Sequence, residues 1–314
     1  MTQPSDFFHE PVMLAEITEV FASVPHGVVV DATLGGAGHA TALLDRYEWM
    51  SILGIDRDET AVIRAREIAS RYAGRFMVEH GRFDRLGEYL GNNNVVEISG
   101  ALFDLGVSSP QLDRAERGFS YRSPGPLDMR MDPSQSLTAA DIVNTYDAES
   151  IADILRRNAD ERYAYRIAKA IVAARPIADT GHLAEVVAGA IPAPARRTGG
   201  NPAKRTFQAI RIAVNAELDI LPSALNGAIE ATAVGGRIAV LTYHSGEDRI
   251  VKDVFGAAEV RGRSHVDASP FRHPDSIRRY ARRVKAPRRP SVEEIGRNPR
   301  AKSARLRVLE KVGR

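Results

Sequence analysis

Three short apolar runs in the first third of the chain each end on an aspartate: VVVD (Val28–Asp31), SILGID (Ser51–Asp56) and GALFD (Gly100–Asp104). A fourth run, Arg75–Glu79, stands between the last two. Short continuous runs of β-branched and aliphatic residues suit strands buried on both faces. The stretches Ala40–Tyr47, Asp58–Tyr72 and Phe83–Leu90 between them read as helices. Strand and helix in alternation call for parallel strands with crossover helices, because a tight turn cannot join parallel neighbours. The expected fold class is α/β, a doubly wound sheet with helices on both faces.

After Asp104 the rhythm stops. From Asp113 to about Ala203 there is no credible strand, only a Pro- and Gly-rich stretch followed by helical patterns at Ser150–Arg157, Glu161–Ala174 and His182–Ala190. Ser136 or Thr138 is expected to cap a helix that begins at Ala139. Helices at Phe207–Leu218 and Ser223–Thr232 precede a turn and strand in GGRIAVLTYH, and Ala304–Glu310 alternates like a terminal strand. The expected organisation is one discontinuous domain, 1–112 with 204–314, interrupted by a helical insert at 113–203.

The first strand runs into the turn ATLGGAGHA, whose spacing excludes two common ligands. Gly35, Gly36 and Gly38 give G-G-x-G rather than the G-x-G-x-x-G of a dinucleotide fold, and a P-loop would need Gly-Lys-Ser/Thr where His39 and Ala40 stand. Asp31, four residues before Gly35, would repel a phosphate and suits an ammonium group instead. Asp56 ends the second strand, where an acid accepts the two hydroxyls of a ribose. A nucleoside joined to an amino acid without phosphates is S-adenosylmethionine. The same residues also make a tight turn followed by a surface acid, and spacing alone leaves both readings open.

The stretch LFDLGVSSPQLDRAERGFSYRSPGPLDMRMD (Leu102–Asp132), together with HEPVML, DATLGGAGH, GIDRD, RTFQAIRIAVNAELD, YHSGEDRIVK and NPRAKSARLR, resembles the RsmH (MraW) family from about His9 to Glu310. That family consists of bacterial methyltransferases acting on the N4 amine of a cytosine in small-subunit ribosomal RNA. The resemblance implies a class I SAM-dependent methyltransferase, a Rossmann-like sheet with an inserted helical substrate-recognition domain. It assigns cofactor contacts to Ala37, Gly38, His39, Asp56, Phe83, Asp104 and Gln111, with Phe83 at the adenine end. Only Asp56 and the glycines come from spacing as well. The sequence departs from the family's pattern at Gly35-Gly36-Ala37, at Gly246, where a larger apolar residue is usual, and over Arg261–Arg289.

The exocyclic amine of cytosine is a weak nucleophile, so catalysis rests on in-line positioning and on acceptors for the amine hydrogens. Asp104 and Ser109, the latter in a Ser-Pro pair after the fourth strand, are the candidates that frame the amine. A second reading gives Asp104 to the cofactor alone and Ser109 to a turn. After the fifth strand, Ser245 is expected to cap the next helix, with Glu247 and Asp248 favouring its first turn, while the role of His244 stays open.

The absence of cysteine excludes disulfides, thiolate metal sites and a cysteine nucleophile, and no pair of histidines has metal-ligand spacing, so no metal is expected. No G-x-S-x-G elbow occurs, which sets a serine hydrolase aside. No signal segment or membrane span is read, and a cytoplasmic location is expected. The net charge of +3 hides an asymmetry: Ala257–Arg314 carries 17 Lys and Arg against 6 Asp and Glu, the remainder 26 against 34. The segment IRRYARRVKAPRRP (Ile277–Pro290) suits a polyanion, or is a solvated tail. The expected partners are small-subunit ribosomal RNA or the ribosomal subunit, with a homodimer as the expected self-association. Two other functions fit less of the sequence: a cofactor-binding ribosome assembly factor, and a nicotinamide-dependent oxidoreductase, which the glycine turn disfavours.

Overall fold

The computed structural model describes residues 11–197, 200–259 and 281–313. They form two compact units, one of 1–106 with 221–314 and one of 107–220. The expected insert, 113–203, falls inside the second unit.

The first unit is built on a seven-stranded sheet of β1 (Gly27–Asp31), β2 (Met50–Asp56), β3 (Phe76–His80), β4 (Ile98–Asp104), β5 (Thr232–Thr242), β6 (Ala281–Arg283) and β7 (Arg305–Lys311). Its order is β3-β2-β1-β4-β5-β7-β6. The first five positions are parallel, whereas β7 runs antiparallel to both β5 and β6, so the sheet is mixed. The order reverses between β1 and β4, which places a topological switch point beside the carboxyl ends of those two strands.

Side chains alternate between two cores, as strands covered on both faces require. Val29, Ile52, Leu102 and Leu241 point to one face, and Val30, Leu53, Phe103 and Val240 to the other. The first face is covered by α1 (Leu14–Phe21), α2 (Gly38–Arg46) and α3 (Glu59–Ala69). On the other lies α4 (Leu86–Asn92) with two helices that follow the second unit in sequence. The helix α1 and the strand β6 were not among the sequence expectations.

The second unit holds α5 (Ser109–Asp113), α6 (Ala139–Thr145), α7 (Ala148–Ala159), α8 (Ala164–Ala173), α9 (Thr180–Ala190), α10 (Ala193–Arg197) and α11 (Lys204–Asn215), with no strand among its described residues. Thr138, not Ser136, caps α6: its hydroxyl accepts the Asp141 N–H while the Asp141 carboxylate accepts the Thr138 N–H. This unit has its own core, in which Ile151, Leu155, Ile167, Phe207 and Ile210 are buried. Packing of α11 on α7 carries the unit's edge past residue 203. The chain then returns to the sheet through α12 (Glu217–Ala231), and β5 leads into α13 (Ser245–Ala258). The helix α14 (Val292–Arg297) precedes β7.

Candidate functional site

The glycine turn sits where the sheet order reverses, and the aspartates that end β1, β2 and β4 flank it. Asp31 is buried, and its carboxylate accepts the Thr33 N–H at 3.3 Å. The Thr33 hydroxyl in turn accepts the Asp104 N–H at 2.6 Å, which ties the turn to the end of β4. From the other side, Asp56 Oδ2 accepts the Gly35 N–H at 2.7 Å, and its Oδ1 accepts the Asp58 N–H at 2.8 Å. The Arg57 N–H bonds the same carboxylate, so Asp56 is fixed by three backbone donors.

The turn needs small residues for two separate reasons. Gly35 and Ala37 both take left-handed backbone, at φ 49° and 61°, and Ala37 there forms the N-cap of α2. At Gly38 a Cβ would stand 2.4 Å from Cγ of Pro11, so the helix start and the N-terminal segment meet only without a side chain. His39, in the first turn of α2, is buried with Nε2 3.0 Å from the Val12 carbonyl oxygen. Its Nδ1 lies 3.8 Å from Asp104 Oδ2.

Asp104 has a second neighbour that the sequence did not announce. The Tyr243 hydroxyl, just past the end of β5, donates to Asp104 Oδ1 at 2.7 Å. Burial, then the Asp104 charge, pushes the Tyr243 phenol well above its ordinary value of 10, so it remains a donor at neutral pH. Burial also raises Asp31 from 3.8 to about 7; the Thr33 N–H opposes the shift, and the Asp104 and Asp56 carboxylates add to it. Asp56 is raised by burial as well, held back by the N–H groups of Asp58 and Gly35. The site is therefore short of positive charge. A cation relieves it, and a pyrophosphate would add to the strain.

The structure thus brings together Ala37, Gly38, His39, Asp56 and Asp104 of the expected cofactor residues, with Asp31, Thr33 and Tyr243 beside them. Phe83 packs edge-on against Phe103 of β4 at 5.7 Å between ring centres, and the chain just before it is tied to β2 by the Gly81 N–H on the Asp56 carbonyl at 2.7 Å. Ser109 and Gln111 belong to the second unit. There Ser109 is the first residue of α5, and Gln111 Oε1 accepts the Ser108 N–H at 3.0 Å as part of the helix cap.

The expectation that Ser245 caps α13 does not hold. His244 is the N-cap, and Glu247 returns to accept the N–H groups of Tyr243 at 2.6 Å and His244 at 3.2 Å. The His244 Nδ1 accepts the Glu247 N–H at 3.4 Å, so this imidazole is engaged in the helix start. Asp248 turns away from the cap to Arg307 at 2.7 Å and Arg305 at 3.3 Å. Of the basic segment, Arg278 and Arg279 lie outside the described residues, whereas Arg282 pairs with Glu310 at 2.7 Å and Arg283 with Glu259 at 2.8 Å. No group of acids and histidines with metal-holding geometry occurs among the described residues. No described helix is long and apolar enough to cross a membrane.

The sequence profile of the MraW methylase family matches residues 6–312. The ribosomal RNA small subunit methyltransferase H of Mycobacterium tuberculosis (strain H37Rv) is 48% identical over 98% of this chain and 81% of its own length. The protein of the same name from Mycobacterium sp. (strain KMS) is 48% identical over 97% of this chain and 84% of its own length. Among solved structures, a rRNA methylase from Streptococcus thermophilus superposes with a TM-score of 0.41 at 14% identity, covering 95% of this chain and 93% of that one.

Proposed function

The chain belongs to the MraW methylase family, and from that premise we propose that it transfers a methyl group from S-adenosylmethionine to the N4 amine of a cytosine in small-subunit ribosomal RNA. The observation that carries the reading is the set of three aspartates at the ends of β1, β2 and β4, two of them raised by burial, around a glycine turn that lacks a phosphate-holding lysine. S-adenosylmethionine fits that set: it brings a diol, an ammonium and a sulfonium, and no phosphate. When bound, it supplies a methyl group already activated by the sulfonium.

Asp56 holds the ribose hydroxyls, because its two oxygens are fixed in place by the Gly35 and Asp58 N–H groups. Asp31 holds cationic charge and gives up its proton to do so. Phe83 offers an aromatic face for the adenine. Asp104 is the acceptor for the target amine. The Tyr243 hydroxyl and the Thr33 tie fix both its side chain and its backbone, so it meets the amine without reorganising. His39 holds α2 against the N-terminal segment and turns its other nitrogen towards Asp104. The helical unit is assigned to RNA recognition, and the target base leaves its stack to reach the methyl group, at a few kcal/mol that extended RNA contacts offset.

The N4 product follows from the chemistry at hand. Methylation at carbon 5 of cytosine commonly runs through a cysteine nucleophile, and the chain contains none. An amine needs acceptors rather than a strong base, and Asp104 is one. Nucleoside mass spectrometry after reaction of small-subunit RNA with labelled cofactor is expected to find the label in N4-methylcytidine. Label on carbon 5 or on a ribose would reject the mechanism. Label nowhere would favour an assembly factor that binds cofactor without turnover.

A further inference from the structure

The first unit carries uncompensated positive charge along one edge of its sheet. β6 is the edge strand, and the chain continues from it alongside β7: the Val284 N–H donates to the Val308 carbonyl at 3.0 Å, and the Leu306 N–H to the Arg288 carbonyl at 3.1 Å. Here a groove floored by Phe255 and Leu306 is rimmed by Lys252, Arg283, Lys285, Arg288 and Arg307. The neighbouring acids are already engaged. Asp248 faces Arg307, Arg305 and Lys252, and Glu259 faces Arg283. Lys285, Arg288 and Arg289 are exposed and make no ion pair among the described residues.

The register of the sheet relates this edge to Asp104. Asp104 pairs with Leu241, Leu241 with Leu306, and Leu306 bonds to the Arg288 backbone. These are three successive steps across one sheet, so the Arg288 backbone lies about 14 Å from that of Asp104 at the usual spacing of neighbouring strands. Both stand at the same level of the sheet, near the carboxyl ends of β4 and β5. A strand bound there would lie within a few nucleotides of a base presented to Asp104. The floor residues Phe255 and Leu306 are buried, so the groove offers charge without an apolar wedge for a bilayer.

We propose that the β6–β7 edge, through Lys285, Arg288 and Arg289, holds the phosphodiester backbone of the RNA strand that flanks the methylated nucleotide. The proposal rests on the methyltransferase reading and adds the surface along which its substrate runs. Each cation that meets a phosphate displaces a condensed counterion, so the contact is read in the salt dependence of binding.

The test combines Lys285→Gln, Arg288→Gln and Arg289→Gln in the full chain and compares it with a control triple on α3 and the turn after it, Arg64→Gln, Arg66→Gln and Arg71→Gln. Binding of a small-subunit RNA fragment is measured against KCl concentration. Thermal unfolding and calorimetry with S-adenosylmethionine serve as checks on the fold. The edge triple is expected to melt and bind cofactor as the wild type does, while its log–log salt slope falls by about two to three, at ~0.7 to 0.9 per lost phosphate contact. The control triple is expected to keep the wild-type slope. An unchanged slope in the edge triple, an equal loss in the control, or a loss confined to anionic lipid vesicles would each overturn the proposal. Transfer of label to the same fragment by the wild type is scored in parallel. If the wild type methylates it and the edge triple keeps its slope, the proposal fails alone; if the wild type transfers no label, the methyltransferase reading fails and the flanking role with it.

Discussion

Asp31 joins the chemistry of the site to the stability of the fold. Its folded value of about 7 lies above the 3.8 of a free carboxyl because burial penalises its charge. The folded state therefore holds more protons than the unfolded chain between those values. The stability this group contributes is complete below about pH 4 and is lost as pH rises through about 7. Asp31→Asn is expected to flatten the dependence of Tm on pH between 5 and 8, measured without cofactor. A cationic cofactor favours the ionised carboxylate, so binding near neutral pH is expected to release a proton. Calorimetry in two buffers of different ionisation enthalpy reads this directly, and equal heats would remove Asp31 from the neighbourhood of the ligand. Asp56 makes a different prediction, because its role is to accept. Asp56→Ala is expected to weaken S-adenosylmethionine binding at least about tenfold, since ligand hydroxyls and the Gly35 N–H lose a charged acceptor together. Unchanged affinity by calorimetry would sink the ribose assignment.

Strands β1, β2 and β4 were readable because their runs are apolar on both faces and each stops at an acid, and the two cores on either side of the sheet explain that pattern. β6 had no such signal: its three residues, Ala-Arg-Arg, are held in the sheet by β7 rather than by their own preference. The Asp104–Tyr243 bond was equally hidden, since 139 residues separate the partners and either alone reads as an ordinary strand end. His244 displaced Ser245 as the cap because Glu247 reaches the backbone one residue earlier than the usual Ser-first pattern implies. The compact helical unit extends past the expected 203 for a similar reason. The helix α11 reads as a return to the sheet, yet its Phe207 and Ile210 are buried in the helical core and its Asn215 side chain bonds the backbone of Met129 and Met131. Excision therefore tells the two boundaries apart. A chain in which 107–220 is replaced by a flexible linker is expected to bind cofactor in calorimetry without methylating RNA. Removal of 113–203 alone is expected to leave the apolar face of α11 bare and to give aggregates in gel filtration. Methylation by the first form would refute the role given to the helical unit.

At the scale of the molecule, the sheet of the first unit draws, among the described residues, four strands from before residue 107 and three from after residue 220. The last of these, β7, lies between β5 and β6 and pairs with both. A chain ended after Ala304 would lose two ladders at once, and it is expected to lack a cooperative thermal transition. A sharp melt close to that of the full chain would show that the first five strands suffice. The same arrangement bears on synthesis. β4 is buried along Ile98–Phe103 and apolar but for Ser99, and its partner β5 emerges from the ribosome more than a hundred residues later. At about 5–20 residues per second the nascent chain presents that unpaired edge for roughly ten seconds. The intervening residues carry a separate core and can fold in the meantime, so translation delivers a finished helical unit while the sheet still waits for its centre to be closed, and any pause between codons 105 and 232 lengthens the interval in which two such chains can pair with each other instead.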